Sequence, residues 1–229
     1  AQLERKKHII FQGPPGTGKT FVAEKLAKIL KGTKGGLVET VQFHPSYSYE
    51  DFIEGIRPEL SDNQISYDLK PGRFLEFCDD AKGTDEPSIL IIDEINRANL
   101  ARVFGELMYL LEYRDQEIPL SAGGRPFKIP ENIYLIGTMN TADRSIALVD
   151  HALRRRFTFL RLNPDYEVLK KYLESKKYPP DELISVLKEI NKTIDDPNYE
   201  VGISFFMKKD NNLKIHLPDI WKGEIEPYL

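Results

Sequence analysis

The segment Gly13-Pro14-Pro15-Gly16-Thr17-Gly18-Lys19-Thr20 constrains this chain more than any other feature. It follows a short apolar run, Ile9-Ile10-Phe11, and opens an amphipathic stretch from Thr17 to Leu30. A glycine-rich turn between strand and helix that ends in Lys-Thr is a phosphate-binding loop. Its glycines let backbone N–H groups turn inward around phosphate oxygens, the helix N-terminus adds a favourable dipole, and Lys19 supplies a point charge to the β- and γ-phosphates. The Thr20 hydroxyl is expected to hold Mg²⁺. Such a loop requires a parallel sheet whose strands end at a ligand-binding edge.

The first 160 or so residues meet that requirement. Short β-branched runs at 8–12, 37–43, 88–93, 133–139 and 157–162 alternate with apolar residues at three- and four-residue spacing over 17–30, 71–81 and 99–112. That pattern predicts an α/β fold with a five-stranded parallel sheet flanked by helices. The stretches 117–120 and 126–129 around Gly123-Gly124 predict an inserted β-hairpin after the third helix. At Asn163-Pro164-Asp165 the pattern changes to two helical segments, 165–176 and 181–194, each opened by an acid or cap signal. The expected division is residues 1–163 as the P-loop nucleotide-binding domain and residues 164–229 as a small, mostly helical C-terminal lid.

Ser88-Ile89-Leu90-Ile91-Ile92 is a continuous apolar run, as a strand buried on both faces requires, and it ends in Asp93-Glu94. At the carboxyl edge of a parallel sheet, Asp93 is placed for the Mg²⁺ shell and Glu94, pointing the other way, for polarising an attacking water. The strand 133–139 ends in Asn140, whose amide is placed to orient the same water. Asp150-His151-Ala152-Leu153-Arg154-Arg155-Arg156 sets three arginines just before the last strand. A planar guanidinium there suits a finger that reaches the nucleotide of a neighbouring subunit. A surface cluster or a nucleic-acid contact is the alternative.

Composition narrows the partners. With 41% hydrophobic and 30% charged residues and a formal charge of −4, the chain reads as an ordinary globular protein without the basic excess that bulk nucleic-acid binding uses. No run approaches the roughly 18 apolar residues of a membrane span, and the N-terminus shows no leader pattern, so no signal peptide and no membrane anchor are expected. The single cysteine, Cys78, lies in an apolar helical stretch, which suits a core position and a cytoplasmic location. His8, His44, His151 and His216 lack metal-ligand spacing. The aromatic, acidic segment Tyr47-Ser48-Tyr49-Glu50-Asp51-Phe52 reads as a structured interface rather than a base-stacking platform.

Together these residues resemble the AAA+ class and, within it, the McrB family of GTPases that power modification-dependent restriction of DNA. The most specific matches are Met139-Asn140-Thr141-Ala142-Asp143-Arg144-Ser145, similar to that family's signature segment, and Asp93-Glu94-Ile95-Asn96-Arg97-Ala98-Asn99, similar to its extended acidic motif. The stretch from His44 to Gly55 resembles the family's second-strand exit. The resemblance implies a hexameric GTPase ring, bound to Mg²⁺ and GTP, that acts as motor for a separate endonuclease subunit of the McrC type. DNA would be engaged through another domain or the assembled complex. It further implies that Arg155, with Arg97 and Asp150, acts in trans at the subunit boundary, that Asn140 and Asp143 stand near the γ-phosphate, and that Arg144 anchors their segment.

Two features depart from the pattern. Many AAA+ lids carry an arginine after a Gly-Ala pair to sense the γ-phosphate, whereas Gly202-Ile203-Ser204-Phe205-Phe206 has none. The family's DNA-reading domain normally precedes the motor, and here only 12 residues precede Gly13, so a motor fragment or a reduced relative is expected. Base choice does not follow from the phosphate loop. Asn191-Lys192-Thr193-Ile194-Asp195 misses the spacing of the guanine-binding Asn-Lys-x-Asp motif by one residue. GTP therefore rests on the resemblance, and ATP is what a generic AAA+ module uses. The competing functions are an ATP-driven remodeller of protein complexes and a nucleotide-dependent ring scaffold with little hydrolysis; a small-molecule kinase is more distant.

Overall fold

The computed structural model describes residues 6–32, 35–61, 64–143, 151–207 and 213–229. A five-stranded sheet in the order β2-β5-β8-β1-β9 organises the N-terminal part. Its strands are β1 (His8–Gly13), β2 (Val38–Gln42), β5 (Ser88–Asp93), β8 (Ile133–Asn140) and β9 (Thr158–Arg161). β5 is an interior strand between β2 and β8, and every residue from Ser88 to Ile92 is buried, as its unbroken apolar run demands. It pairs in parallel with β2 from Val38↔Ile89 to Gln42↔Asp93 and with β8 from Ser88↔Ile133 to Ile92↔Gly137.

Helix α1 (Lys19–Lys31) follows the phosphate loop, buries Ala23 and Ala27 one turn apart, and places Lys28 and Lys31 at its negative end. Helix α3 (Arg73–Ala81) buries Phe74, Leu75, Phe77, Cys78 and Ala81. Burial pushes the Cys78 thiol far above its ordinary range, which leaves it an inert packing residue.

Two features differ from the sequence expectations. Between α2 (Tyr49–Phe52) and α3 the chain forms an antiparallel ribbon, β3 (Glu54–Ser61) with β4 (Gln64–Pro71), paired from Glu54↔Pro71 to Ser61↔Gln64. Its even-numbered residues Ile56, Pro58 and Leu60 stand opposite Leu69, Tyr67 and Ile65, so one face is apolar while Arg57, Glu59, Asp68 and Lys70 occupy the other. The expected continuous helix over 99–112 is broken into α4 (Leu100–Phe104) and α5 (Leu107–Glu112), because the backbone at Gly105 leaves helical geometry. In the aromatic segment before the ribbon Phe52 is fully buried and Tyr47 stacks on Phe43 at 4.5 Å between centroids, while Tyr47 and Tyr49 are half-buried and Glu50 is exposed. Ser48 and Asp51 form a capping box that starts α2. The inserted hairpin of the sequence reading is β6 (Ile118–Pro119) with β7 (Pro126–Phe127).

After α6 (His151–Arg156) and β9 the chain is helical. Asp165 caps α7 (Tyr166–Ser175) by accepting from Glu167 N–H and Val168 N–H. Helix α8 (Asp181–Ile194) buries Leu183, Ile184, Leu187 and Asn191 on one stripe. A 3₁₀ turn, Ile203–Phe206, precedes α9 (Leu213–Ile220) and a π-type turn, Trp221–Ile225. These elements share their own apolar core, centred on Leu169, Leu173, Leu187, Val201 and Phe206.

Two compact units result. One holds residues 1–11, 22–139 and 145–160; the other holds 12–21, 140–144 and 161–229. The phosphate loop and the residues from Asn140 onward in the 139–145 segment, as far as 144, therefore belong to the same unit as the helical lid. No helix among the described residues is long and apolar enough to cross a membrane.

Candidate nucleotide site

The phosphate loop runs from the end of β1 at Gly13 to the start of α1 at Lys19. Gly16 (φ +77°) and Gly18 (φ +83°) take left-handed conformations that a side chain would strain. Lys19 Nζ donates to Gly13 O at 3.0 Å and Pro14 O at 2.8 Å, so its charge lies over the loop. Thr17 Oγ1 donates to Pro14 O at 3.0 Å and braces the turn. A Cβ on Gly18 would meet nothing within 4 Å, so the loop stays open there. Left-handed glycines, an inward-drawn lysine and an open mouth fit a triphosphate.

The lid turn presses on this loop through backbone and through the Phe205 ring. Ser204 N–H donates to Gly16 O at 2.8 Å. A Cβ on Gly202 would stand 2.1 Å from Gly16 C and 2.4 Å from Pro15 O, and one on Gly16 would stand 2.6 Å from Phe205 Cε2. The turn that lacks an arginine thus meets the phosphate loop by close backbone approach. Asn191 holds it there: the amide Nδ2 donates to Val201 O at 3.1 Å and Oδ1 accepts from Val201 N–H at 2.7 Å. The residue that begins the off-register Asn-Lys motif is therefore a buried backbone clamp.

Asn140 closes β8, and the following residue is tied twice: Thr141 N–H donates to Gly13 O at 3.1 Å, and Thr141 Oγ1 donates to Asn198 O at 3.2 Å. Arg161 donates to Asn198 Oδ1 at 3.2 Å and to Asn163 Oδ1 at 3.0 Å. Asp143 lies near Tyr228, whose phenol is pushed up to about 12 by burial first, then by Tyr199, Asp143 and Asp196. Within this unit the structure brings together Gly13 to Thr20, Asn140 and Asp143.

The acid pair lies in the other unit. The Thr138 hydroxyl on β8 donates to Asp93 Oδ1 and accepts from Glu94 N–H at 3.2 Å, so a neighbouring strand positions both acids. Glu94 adopts φ +52°, the left-handed region, which a side chain tolerates only where surroundings enforce it. Its carboxylate lies 3.5 Å from Arg97 Nε. That bend turns Glu94 away from the strand direction that carries Asp93. Thr138, Thr141, Asn191 and Gly202 make bonds and close contacts that the sequence does not announce, although Thr138 and Thr141 lie within two residues of Asn140.

The arginines of α6 separate. Arg155 has a side chain 68% exposed and reaches Glu112 at 2.8 Å, while Arg156, 13% exposed, shares the same carboxylate at 3.1 Å. Arg154 stacks over Phe159, 5.8 Å from its centroid. Arg155 is the most accessible member of that ion-pair cluster, and Arg156 is built into the fold. Arg144 and Asp150 lie outside the described residues. Among the described residues no cluster of three or more His, Cys, Asp or Glu side chains could hold a metal by itself, so a cation here would take much of its shell from phosphate and water.

A phosphate loop after a parallel strand, an acid pair ending a buried strand and a helical lid define a P-loop nucleotide-binding domain of the AAA class. Residues 8–157 match the AAA domain (dynein-related subfamily), and residues 182–229 match the McrB alpha-helical lid domain. The chain is 45% identical over 225 residues to the type IV methyl-directed restriction enzyme EcoKMcrB subunit of Escherichia coli strain K12, covering 90% of this chain and 48% of that protein. It is 29% identical over 208 residues to the type II restriction enzyme BsuMI component YdiS of Bacillus subtilis strain 168, covering 74% of this chain and 57% of that protein. It is 31% identical over 165 residues to the chaperone MoxR1 of Mycobacterium tuberculosis, covering 72% of this chain and 38% of that protein. The chain belongs to the McrB family, as an AAA domain followed by an McrB-type lid. It spans about half the length of the restriction proteins it matches.

Proposed function

We propose that the chain is the motor module of a restriction system: it hydrolyses GTP with Mg²⁺ inside a homo-oligomeric ring and drives DNA cleavage by an McrC-type endonuclease partner. The similarity to the EcoKMcrB subunit, joined to an intact set of Lys19, Thr20, Asp93, Glu94 and Asn140, carries this reading. In it, the phosphate loop binds the β- and γ-phosphates, with Lys19 exchanging carbonyl partners for phosphate oxygens. Thr20 and Asp93 hold the cation, which when bound neutralises the charge that develops on the phosphate oxygens. Glu94 accepts a proton from the attacking water, and Asn140, supported by Asp143, orients that water. Arg155 stabilises the transition state at a neighbouring subunit's nucleotide, with Arg97 and Asp150 as further groups at that boundary and Arg154 and Arg156 shaping it.

Phosphate release from GTP and ATP, measured in parallel with Mg²⁺ over a range of protein concentrations, tests the reading. Preference for GTP with activity rising more steeply than protein concentration is expected. Preference for ATP would redirect the function to a remodeller of protein complexes, the reading that similarity to the MoxR1 chaperone favours. Triphosphate binding without turnover would leave a ring scaffold.

A further inference from the structure

We propose that Thr141 is a positioning residue through which the lid sets the place of the Asn140 amide, an inference that rests on the nucleotide-hydrolysis reading above. Thr141 N–H is held by Gly13 O at 3.1 Å, the first carbonyl of the phosphate loop, and Thr141 Oγ1 is held by Asn198 O at 3.2 Å, in the lid. The acceptor on the lid side sits in a braced loop. Asn198 N–H donates to Asp196 Oδ1 at 2.9 Å, Tyr199 N–H donates to Asp196 O at 2.9 Å, and the Asn191 carboxamide grips both polar groups of Val201. Arg161, just after β9, adds a bond to Asn198 Oδ1 at 3.2 Å.

Displacement of that loop must therefore pull on Thr141 or break its hydroxyl bond. Asn140 is the adjacent residue, so its side chain shares any shift of the Thr141 backbone. The lid also reaches the phosphate loop at a second point, through Ser204 N–H and Gly16 O at 2.8 Å. The two links differ in kind. The Ser204 link joins the lid to the loop that grips phosphate, and the Thr141 link joins it to the residue that orients water. The first governs affinity and the second governs turnover, because misplacing a catalytic group costs rate where binding is already satisfied.

Thr141→Val and Thr141→Ser separate the hydroxyl from the fold. Valine keeps the β-branched shape and the backbone N–H but deletes the donor, whereas serine keeps the donor. The first measurement is amide hydrogen exchange with and without a non-hydrolysable GTP analogue. In the wild type and in Thr141→Ser, binding is expected to slow exchange in both 140–143 and 195–201; in Thr141→Val it slows exchange in 140–143 alone. The second is steady-state hydrolysis, where Thr141→Val lowers kcat about tenfold with KM within about twofold, and Thr141→Ser restores most of the rate. Equal protection of 195–201 in wild type and Thr141→Val overturns the inference while leaving the hydrolysis reading intact. So does a KM change without a kcat change, or a serine variant as impaired as valine. A wild-type chain that binds no triphosphate overturns both.

Discussion

The acid pair and the phosphate loop are held by opposite means. Asp93 and Glu94 end a strand whose preceding five residues are buried, and a threonine on the neighbouring strand fixes both through one hydroxyl. The phosphate loop instead meets its lid mainly through backbone, one N–H from Ser204 and the bare α-carbon of Gly202, with the Phe205 ring beside Gly16. Removing a strand residue leaves a cavity that close-packed neighbours fill only partly, while a backbone contact is worth about 1 kcal/mol and can be remade. On the proposed mechanism the end that carries the general base is thus set by folding, and the end that grips phosphate is held by contacts that are more easily remade.

The largest expected effect breaks the chemistry and spares both scaffolds. Glu94→Gln should bind triphosphate with near-normal affinity yet lose turnover on the order of 10³-fold, about 4 kcal/mol, in phosphate-release assays; unchanged hydrolysis would remove Glu94 from the mechanism. Next comes the strand. Leu90→Ala, at a fully buried position, should cost about 3 kcal/mol in urea unfolding, and a loss below 1 kcal/mol would show that the sheet is less closely packed than β5 implies.

A third effect concerns β1, the strand that leads into the phosphate loop. Burial first, and the Arg114 charge second, push His8 from its ordinary 6.5 down to about 3. Between those values the unfolded chain binds a proton that the folded chain does not. Stability from this group is therefore full above about pH 6.5 and falls as pH drops, by about 2 kcal/mol at pH 5. His8→Leu should flatten that dependence in thermal melts, and an unaltered pH profile would assign it elsewhere. The smallest effect falls on the backbone contact: Gly202→Ala should weaken triphosphate binding about tenfold, near 1.4 kcal/mol, read by titration calorimetry. Unchanged affinity would mean that the lid turn yields freely, which sharpens the contrast.

Most of the sheet was legible because its signals are local. An unbroken apolar run marks β5, a Gly-rich turn marks the end of β1, and Asp165 marks the start of α7. The ribbon β3–β4 was not read although Ile56, Pro58 and Leu60 alternate with polar residues, since Pro58 weakens a strand reading and no glycine marks the turn. Of the candidate site, Lys19 and Asp93 stand in motifs that name the chemistry proposed for them. The site was illegible where one residue positions another across the chain, as Thr141 does with Asn198, 57 positions away. Nothing local to either residue announces that bond.

The ribbon also bears on solubility. A two-stranded sheet ends in two outer edges whose backbone groups invite further strands, and an apolar face adds to the hazard. Pro58 removes one donor from such an edge, and Arg57, Glu59, Asp68 and Lys70 line the opposite face, where Lys70 pairs with Glu59 at 2.8 Å. Stacking copies of this ribbon in register would bring like charges together. The charged face therefore opposes stacking of copies in register, whereas Ile56, Leu60, Ile65 and Tyr67 leave the other face exposed and apolar.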